Sequence, residues 1–540
     1  MSTKQIIFNE QVWEKLITGA DILTKAVGAT LGPNGRTVII QSQFGEPKIT
    51  KDGVSVAREI SVEDAFEDLA VKALVGVANR MSVGDGTTSS IVFSHALLTE
   101  SRKLIAAGIN PNQIIKDIEL GAKNVLEIIA QNTQLIADDL KMIERVATIS
   151  ANGDEQIGQI IADAYKQVGK NGVITVEESK TGETEVSVIN GMKLDKGYCS
   201  PYFITNAEKS LCELQNPLIL IYDGKISTVA QILTLLEEIA KQGRALLIVA
   251  DEVDGEALTA LVINKMRGKL KVAAIKGPSF GDRRKEILQD LSVLTGGTLI
   301  SSETGDILQD IGMSNLGTAD KVTISKDSTI ITGGQHDQAQ LNTRLSQLQA
   351  SLLEASSEYD RNKLTERIAH LSKGVAVIKV GGHSSLAIGE LKDRVDDAVS
   401  SVKAAAEKGI VPGGGALFVH AAKKLADTIV TGNNPGFQVL ERALLAIAYR
   451  IALNSGIEHA HSIVKQISDN DNFAFGYDAK QDRFGNMKEF GIVDAALVQE
   501  LIVKNGVDGV KTLINACVMI VNAPEKDKEM GGMNPGMGMM

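Results

Sequence analysis

With 540 residues, 44% hydrophobic and 23% charged, the chain has a globular composition and is too long for one core, so several domains are expected. A net charge of −11 without any long Lys/Arg cluster argues against nucleic-acid binding. Cys199, Cys212 and Cys517 have neither metal-ligand nor disulfide spacing, positions 1–10 read as no signal peptide, and no apolar run reaches about 18 residues, so a cytoplasmic protein without membrane contact is expected.

Helical periodicity runs over 13–31 and stops at Gly32-Pro33. In Ile49-Thr50-Lys51-Asp52-Gly53-Val54, Asp52 reads as a turn residue between two extended segments. Gly84-Asp85-Gly86-Thr87-Thr88-Ser89-Ser90 then precedes the apolar run Ile91-Val92-Phe93. Its glycines let backbone approach a ligand closely. Its hydroxyls fall where a helix over 87–107 begins, and the free N–H groups at a helix start suit a phosphate. Asp85 would hold the magnesium that travels with a nucleoside triphosphate. The ordinary alternative is a glycine turn with Thr87 or Thr88 capping a core helix. Gly108 closes this helix, and Asn110-Pro111 opens another through Ile114, Ile118 and Val125 toward Ile129.

The middle changes character. Short strands at 173–176, 218–222, 245–250, 272–275 and 298–300 alternate with helices at 229–241, 255–267 and 283–295, which indicates an α/β domain. Two of these helices carry wide apolar arcs. The first has Ile232, Leu235, Leu236 and Ile239 in one stripe and Leu233 outside it, about 160° in all. The second has Leu258, Leu261, Val262, Ile263 and Met266, about 200° broken by Lys265. A surface helix needs only about 100° for core contact. Either these helices are buried on two sides, or they border an exposed apolar groove that binds something.

Over 340–373, Leu341, Leu345, Leu348, Leu352, Leu364, Ile368 and Leu371 lie in two polar helical stretches, read as a packed hairpin rather than a coiled-coil site. A strand at 375–380 and a helix over 391–408 follow, ending at Gly409-Ile410-Val411-Pro412-Gly413-Gly414-Gly415. Helices resume as far as 510–521. Helical ends around an α/β middle suggest one domain built from both termini with the middle inserted. The tail over 530–540 holds only Met, Gly, Asn and Pro and is expected to be disordered, either as a fray or as a mobile apolar lining of an internal space. Asp52, Asp397 and Asp494 would each, alone, read as solvated or capping acids. Together with Asp85 they would supply a metal ligand, a water-activating pair and a ribose partner.

Thr30-Leu31-Gly32-Pro33-Asn34-Gly35-Arg36, Ile49 through Ile60, Gly84 through Ser90 and Val411 through Gly415 resemble the bacterial group I chaperonin, the GroEL type. So do Gly197-Tyr198-Cys199-Ser200-Pro201-Tyr202-Phe203, Gly281-Asp282-Arg283-Arg284-Lys285 and the Gly/Met tail, all in order along the chain. The resemblance implies a multidomain fold: a mostly α-helical equatorial domain from both termini (1–132 and 408–540), a small α/β intermediate hinge domain (133–189 and 375–407) and an inserted α/β apical domain (190–374). It implies heptameric rings, stacked in pairs, that enclose unfolded polypeptide under a GroES-type co-chaperonin and run on ATP with Mg2+ and K+.

Carried over by motif, the resemblance gives Thr30, Leu31, Gly32, Pro33, Asp85, Gly86, Thr87, Thr88 and Ser89 to the phosphates, with Asp85 on magnesium. Thr30, Lys51 and Thr88 would hold potassium. Asp52 and Asp397 would orient and activate the attacking water. Gly414, Ile492 and Asp494 would contact the nucleoside, with Asp494 on the ribose, and Asp478, Ala479 and Lys480 would lie by the base. Tyr198, Tyr202, Phe203, Leu233, Leu236, Leu258, Val262, Ile263 and Asn264 would bind polypeptide and co-chaperonin.

The chain also departs from the family pattern. Asp478-Ala479-Lys480 stands where Asn-Ala-Ala is expected, and Ser385 replaces a glutamate that would pair with Lys196. Lys408 and Glu500 look like a charge swap, Lys265 adds charge beside the groove, and ring contacts near Tyr449 and Glu458 look altered. A diverged paralogue that binds polypeptide without a productive ATP cycle is the second reading; a small-molecule kinase or ligase, which leaves the apolar helices unexplained, is the third.

Overall fold

Short polar side chains set the helix starts in the first part of the chain. Asp52 accepts from the Val54 and Ser55 amides, Asp64 from Phe66 and Glu67, Asn110 from Asn112, and Asp139 from Lys141 and Met142. Each such cap is worth about 1 kcal/mol against alanine. The computed structural model describes residues 3–41, 47–81, 85–151, 153–170, 172–179, 182–207, 209–301, 303, 305–355, 357–382, 384–429 and 434–523. Gly84, the tail over 530–540 and the side chain of Ser385 lie outside the described parts.

In chain order the first helices are α1 (Glu10–Gly28), α2 (Gly53–Glu59), α3 (Ala65–Ala78), α4 (Thr87–Ala106), α5 (Pro111–Asn132), α6 (Leu140–Ser150) and α7 (Glu155–Val168). The middle holds α8 (Leu233–Gln242), α9 (Gly255–Met266), α10 (Asp282–Thr295), α11 (Gln338–Glu354) and α12 (Glu358–Lys373). Then come α13 (Ser385–Lys408), α14 (Ala416–Ile429), α15 (Pro435–Asn454), α16 (Ala460–Ser468) and α17 (Ala496–Ile514). Contacts divide the chain into two compact units, residues 1–159 with 389–540, and residues 160–388.

The first unit is helical and built from both ends of the chain. Its centre is α4, which packs on α1, α15 and α17. Ile91, Phe93, Leu97 and Leu98 of α4 are fully buried. Gly506 of α17 allows the close approach, since a Cβ there would stand 2.6 Å from the Phe93 ring. Two expectations are corrected here. The segment after Asp52 is the helix α2, capped by Asp52, and only Lys48–Thr50 before it is extended, paired with Val38–Ile40. The helix expected over 510–521 ends at Ile514, and Val518–Asn522 forms a strand antiparallel to Lys4–Phe8.

The second unit is α/β. Its main sheet has parallel strands Lys271–Lys276, Ala245–Val253, Leu218–Ile226 and Leu299–Ser301 in that order. By the right-handed crossover rule, the reversal of direction after Lys271–Lys276 puts α8 and α9 on one face and α10 on the other. An antiparallel sheet joins Gly191–Leu194, Thr329–Thr332, Lys321–Ile324 and Cys212–Gln215. A third sheet centres on Val375–Val380, parallel to Val173–Glu178 and antiparallel to Glu185–Ile189. The hairpin α11–α12 is pinned through the fully buried Asp290 of α10, which accepts from Arg344 Nε at 2.7 Å and Arg367 Nε at 2.7 Å. Removing one arginine from such a buried cluster costs about 3–5 kcal/mol. No helix among the described residues is long and apolar enough to cross a membrane.

Candidate functional site

The first unit holds a polar pocket of about 170 Å³ lined by Thr30, Lys51, Asp52, Asp85, Thr87, Thr88 and Asp397, among others. It shares Leu31, Gly32, Asp85, Gly86 and Ser89 with a wider pocket of about 470 Å³. Pro33, Gly414, Asp478, Ala479, Lys480, Ile492 and Asp494 line the wider one. The segments expected to hold phosphates and nucleoside therefore converge on two adjoining pockets, one polar and small, the other half apolar.

Local geometry explains the polar end. Gly86 has φ +83°, and a Cβ there would stand 2.6 Å from Val498 and 2.9 Å from Met81, so glycine is required. No side chain caps α4, which leaves the amides of its first turn open to an anion. Asp85 accepts from the Gly86 amide at 2.6 Å, from Ser150 Oγ at 3.4 Å and from Ser401. Gly53 lies so close to Thr88 that a Cβ would meet its Oγ1 at 1.9 Å. The turn after α1 is held by Asn454, whose Nδ2 donates to the Gly28 and Leu31 carbonyls at 2.8 Å each.

Asp397 projects from α13 into this pocket. Protein surrounds it although part of its area opens on the cavity. Burial, with Asp52 and Asp85 nearby, pushes its carboxyl well above the usual range. A carboxyl held this way is a good proton acceptor once a cation offsets its neighbours. Asp494, in the strand Val493–Ala495, is pushed up to about 7 by burial and by Asp85, even though Gln499 Nε2 donates to it at 3.0 Å.

The base end differs from expectation. The Asp478 carboxylate is buried and already accepts from the Lys480 amide at 3.1 Å, the Gln481 amide at 3.2 Å and Arg483 Nε at 3.2 Å. The Ala479 carbonyl accepts from Asn34 Nδ2 at 2.8 Å. Lys408 pairs with Glu500 at 2.8 Å, so the swapped charges do keep an ion pair.

The second unit carries the expected apolar surface, with corrections. Leu233 is 48% exposed, Ile263 41% and Tyr202 62%, and Met266, the last residue of α9, is 65% exposed. Tyr198, Leu258 and Val262 are partly buried against the core, and Asn264 Nδ2 bonds back to Ala260 at 2.9 Å. Phe203 and Leu236 are core residues, at 0% and 6% exposure, and support this surface from beneath instead of forming it. The helix expected over 229–241 is broken: Val229–Gln231 is a 3-10 turn, Ile232 leaves helical geometry, and α8 starts at Leu233. Lys265 does not stand free beside the groove. Its Nζ donates to the Ile204 carbonyl at 2.8 Å, tying α9 to the Pro201–Phe203 turn.

Sequence reasoning missed several groups at the site. Ser150, which lines both pockets, and Ser401, which donates to Asp85, are helix serines that carry no signal of a role. Arg394 and Asp393 line the polar pocket as well, and their position one turn before Asp397 was a usable cue.

A model of the TCP-1/cpn60 chaperonin family matches residues 23–524. The fold is similar to that of the chaperonin gp146 from the bacteriophage EL 2 (Pseudomonas aeruginosa), whose structure was solved in the presence of ATP-BeFx. The TM-score is 0.68 at 20% identity, covering 96% of this chain and 99% of that one. With its group I motifs in order along the matched span, the chain belongs to the TCP-1/cpn60 chaperonin family.

Proposed function

We propose that the protein is an ATP-driven folding chaperonin, which captures unfolded polypeptide on α8 and α9 and encloses it in a ring cavity. The observation that carries this is the convergence of Asp52, Asp85 and Asp397 on one pocket at the uncapped start of α4. Three carboxylates beside open amides make poor company unless a cation and a polyanion sit between them. Among the described residues no group of three His, Cys, Asp or Glu is arranged to hold a metal unaided, which fits magnesium shared between phosphates and a single carboxylate.

When bound, MgATP would supply the phosphoryl group and the metal charge that offsets its oxygens. Asp85 would ligate that magnesium, and the Gly86–Ser89 backbone would bind phosphate. Thr30, Lys51 and Thr88 would hold potassium. Asp52, fixed by its own capping bonds, would orient the water, and Asp397 would take its proton. Gly414, Ile492 and Asp494 would seat the nucleoside. The wider pocket, half apolar and next to the polar one, supports this placement.

Leu233, Ile263, Met266 and Tyr202 would bind exposed apolar segments of client chains and the mobile segment of a GroES-type co-chaperonin. The reading includes the three-domain division at 132/133, 189/190, 374/375 and 407/408, heptameric rings stacked in pairs, and a cytoplasmic setting. The test is refolding of a denatured substrate that does not refold alone, by protein of measured oligomer mass, with ATP and a co-chaperonin. Recovery of native substrate is the expected result. Capture without release would select the paralogue reading.

A further inference from the structure

We propose that Lys480 makes the base end of the wider pocket a site for 6-oxopurines as well as adenine, so that guanosine and inosine triphosphates bind alongside ATP. The inference rests on the nucleotide reading of the two pockets.

The base end is a hairpin, Phe475–Asp478 paired with Arg483–Asn486. Its carboxylates and the Ala479 carbonyl are engaged, while the Gln481 amide and the Glu155 carboxylate also line the pocket. Asp478 takes two amides of its own turn and the Arg483 guanidinium. Asp482 takes the Tyr477 hydroxyl at 2.7 Å, and the Ala479 carbonyl takes Asn34. The Lys480 ammonium is different. It has no ion-pair or hydrogen-bond partner among the described residues, and it is exposed on the pocket rim. It faces Gly153, which also lines the pocket: a Cβ on Gly153 would stand 2.8 Å from Lys480 Nζ, and Gly153 has φ +82°. The space beside that glycine belongs to the ammonium.

An ammonium brings three donors and no acceptor. At C6 adenine presents an amino donor, which an ammonium cannot satisfy. A 6-oxopurine presents O6 and N7 together, the pair that a lysine contacts on guanine. The free Lys480 cation therefore gives the 6-oxo edge a contact that the 6-amino edge cannot use, while the Gln481 amide and the Glu155 carboxylate leave acceptors for adenine. From Lys480 itself adenine keeps the N7 contact alone.

The experiment is calorimetric binding of the magnesium complexes of the β,γ-imido analogues of ATP, GTP and ITP to the full-length protein, to Lys480→Ala and to Lys480→Arg. In the wild type, GTP and ITP analogues are expected within about tenfold of the ATP analogue, and Lys480→Ala weakens both by about tenfold more than it weakens ATP. Lys480→Arg, which keeps the donors, retains both. Equal binding of the GTP and ITP analogues places recognition at O6, because inosine lacks the 2-amino group. If Lys480→Ala leaves the GTP-to-ATP ratio unchanged while ATP still binds, the role of Lys480 is overturned and the ATP site stands. If no analogue binds the wild type, both fall together.

Discussion

The buried Ser401 hydroxyl donates to the Asp85 carboxylate, one turn beyond Asp397 on α13. The two residues are 316 positions apart in the chain. This bond ties the acid at the start of α4 to the helix that carries the proposed base. A metal on Asp85 would compete for the oxygens that Ser401 and Ser150 hold.

Ser401→Ala is therefore expected to destabilise the nucleotide-free protein by about 1.5–3 kcal/mol, the worth of a hydrogen bond to a charged group. With magnesium and a nucleotide analogue present the loss should shrink. Denaturant unfolding with and without the ligands reads the difference; equal losses would mean that Asp85 keeps its partners throughout.

Asp397→Ala removes the raised carboxyl without touching the open amides of α4. Nucleotide affinity should stay within a few-fold, while the hydrolysis rate falls by about 10²–10⁴. Single-turnover kinetics beside equilibrium binding separates the two. Near-normal turnover would take Asp397 out of the reaction.

Asp494 predicts a pH dependence with a definite sign. Its carboxyl is pushed up to about 7 from an ordinary 3.8, so the folded protein keeps this proton where the unfolded chain has released it. The associated stability is full below pH 3.8 and is lost as pH rises through about 7. At pH 8 nucleotide-free Asp494→Asn should be more stable than the wild type by at most about 4 kcal/mol, and the gap should narrow as pH falls toward 4. Unfolding midpoints across that range check it.

Leu233→Ser and Ile263→Ser change exposed side chains and should leave unfolding nearly unchanged while weakening capture of unfolded protein. Phe203→Ala removes a buried ring one residue before the Ile204 carbonyl that anchors Lys265, and should cost about 3–5 kcal/mol through a cavity. Aggregation-suppression assays paired with calorimetry distinguish a binding defect from a folding one.

The parts of the fold that the sequence made legible are those with local punctuation. Asn110-Pro111 at the start of α5 names its own boundary, whereas Gly32-Pro33 marks the end of α1 only approximately, the helix closing at Gly28 and not at the expected Leu31. Asp52 misled because the β-branched residues after it look extended, whereas α2 is stabilised by the Asp52 cap and by packing on α1 and α4. Val518–Asn522 begins with four apolar residues, and its strand character depends on a partner at the other end of the chain. At the site, Asp52, Asp85, Asp397 and Asp494 were legible through motif. Ser150 and Ser401 were not, because their bonds to Asp85 arise only when distant helices meet. The apolar arcs of α8 and α9 were legible in extent but not in depth, which is why Phe203 and Leu236 proved to be core.

The pairing of Lys4–Phe8 with Val518–Asn522 bears on how the chain acquires its structure. These two strands form a sheet of their own, closed at the end by the Ala523 amide donating to the Thr3 carbonyl at 2.8 Å. Contacts between such distant positions carry the largest loop-closure cost in the chain. The unit over 160–388 is one continuous stretch and can complete itself during synthesis, whereas the helical unit must wait for its second half. A protein proposed to shelter other chains while they fold thus leaves its own first segment waiting for its last.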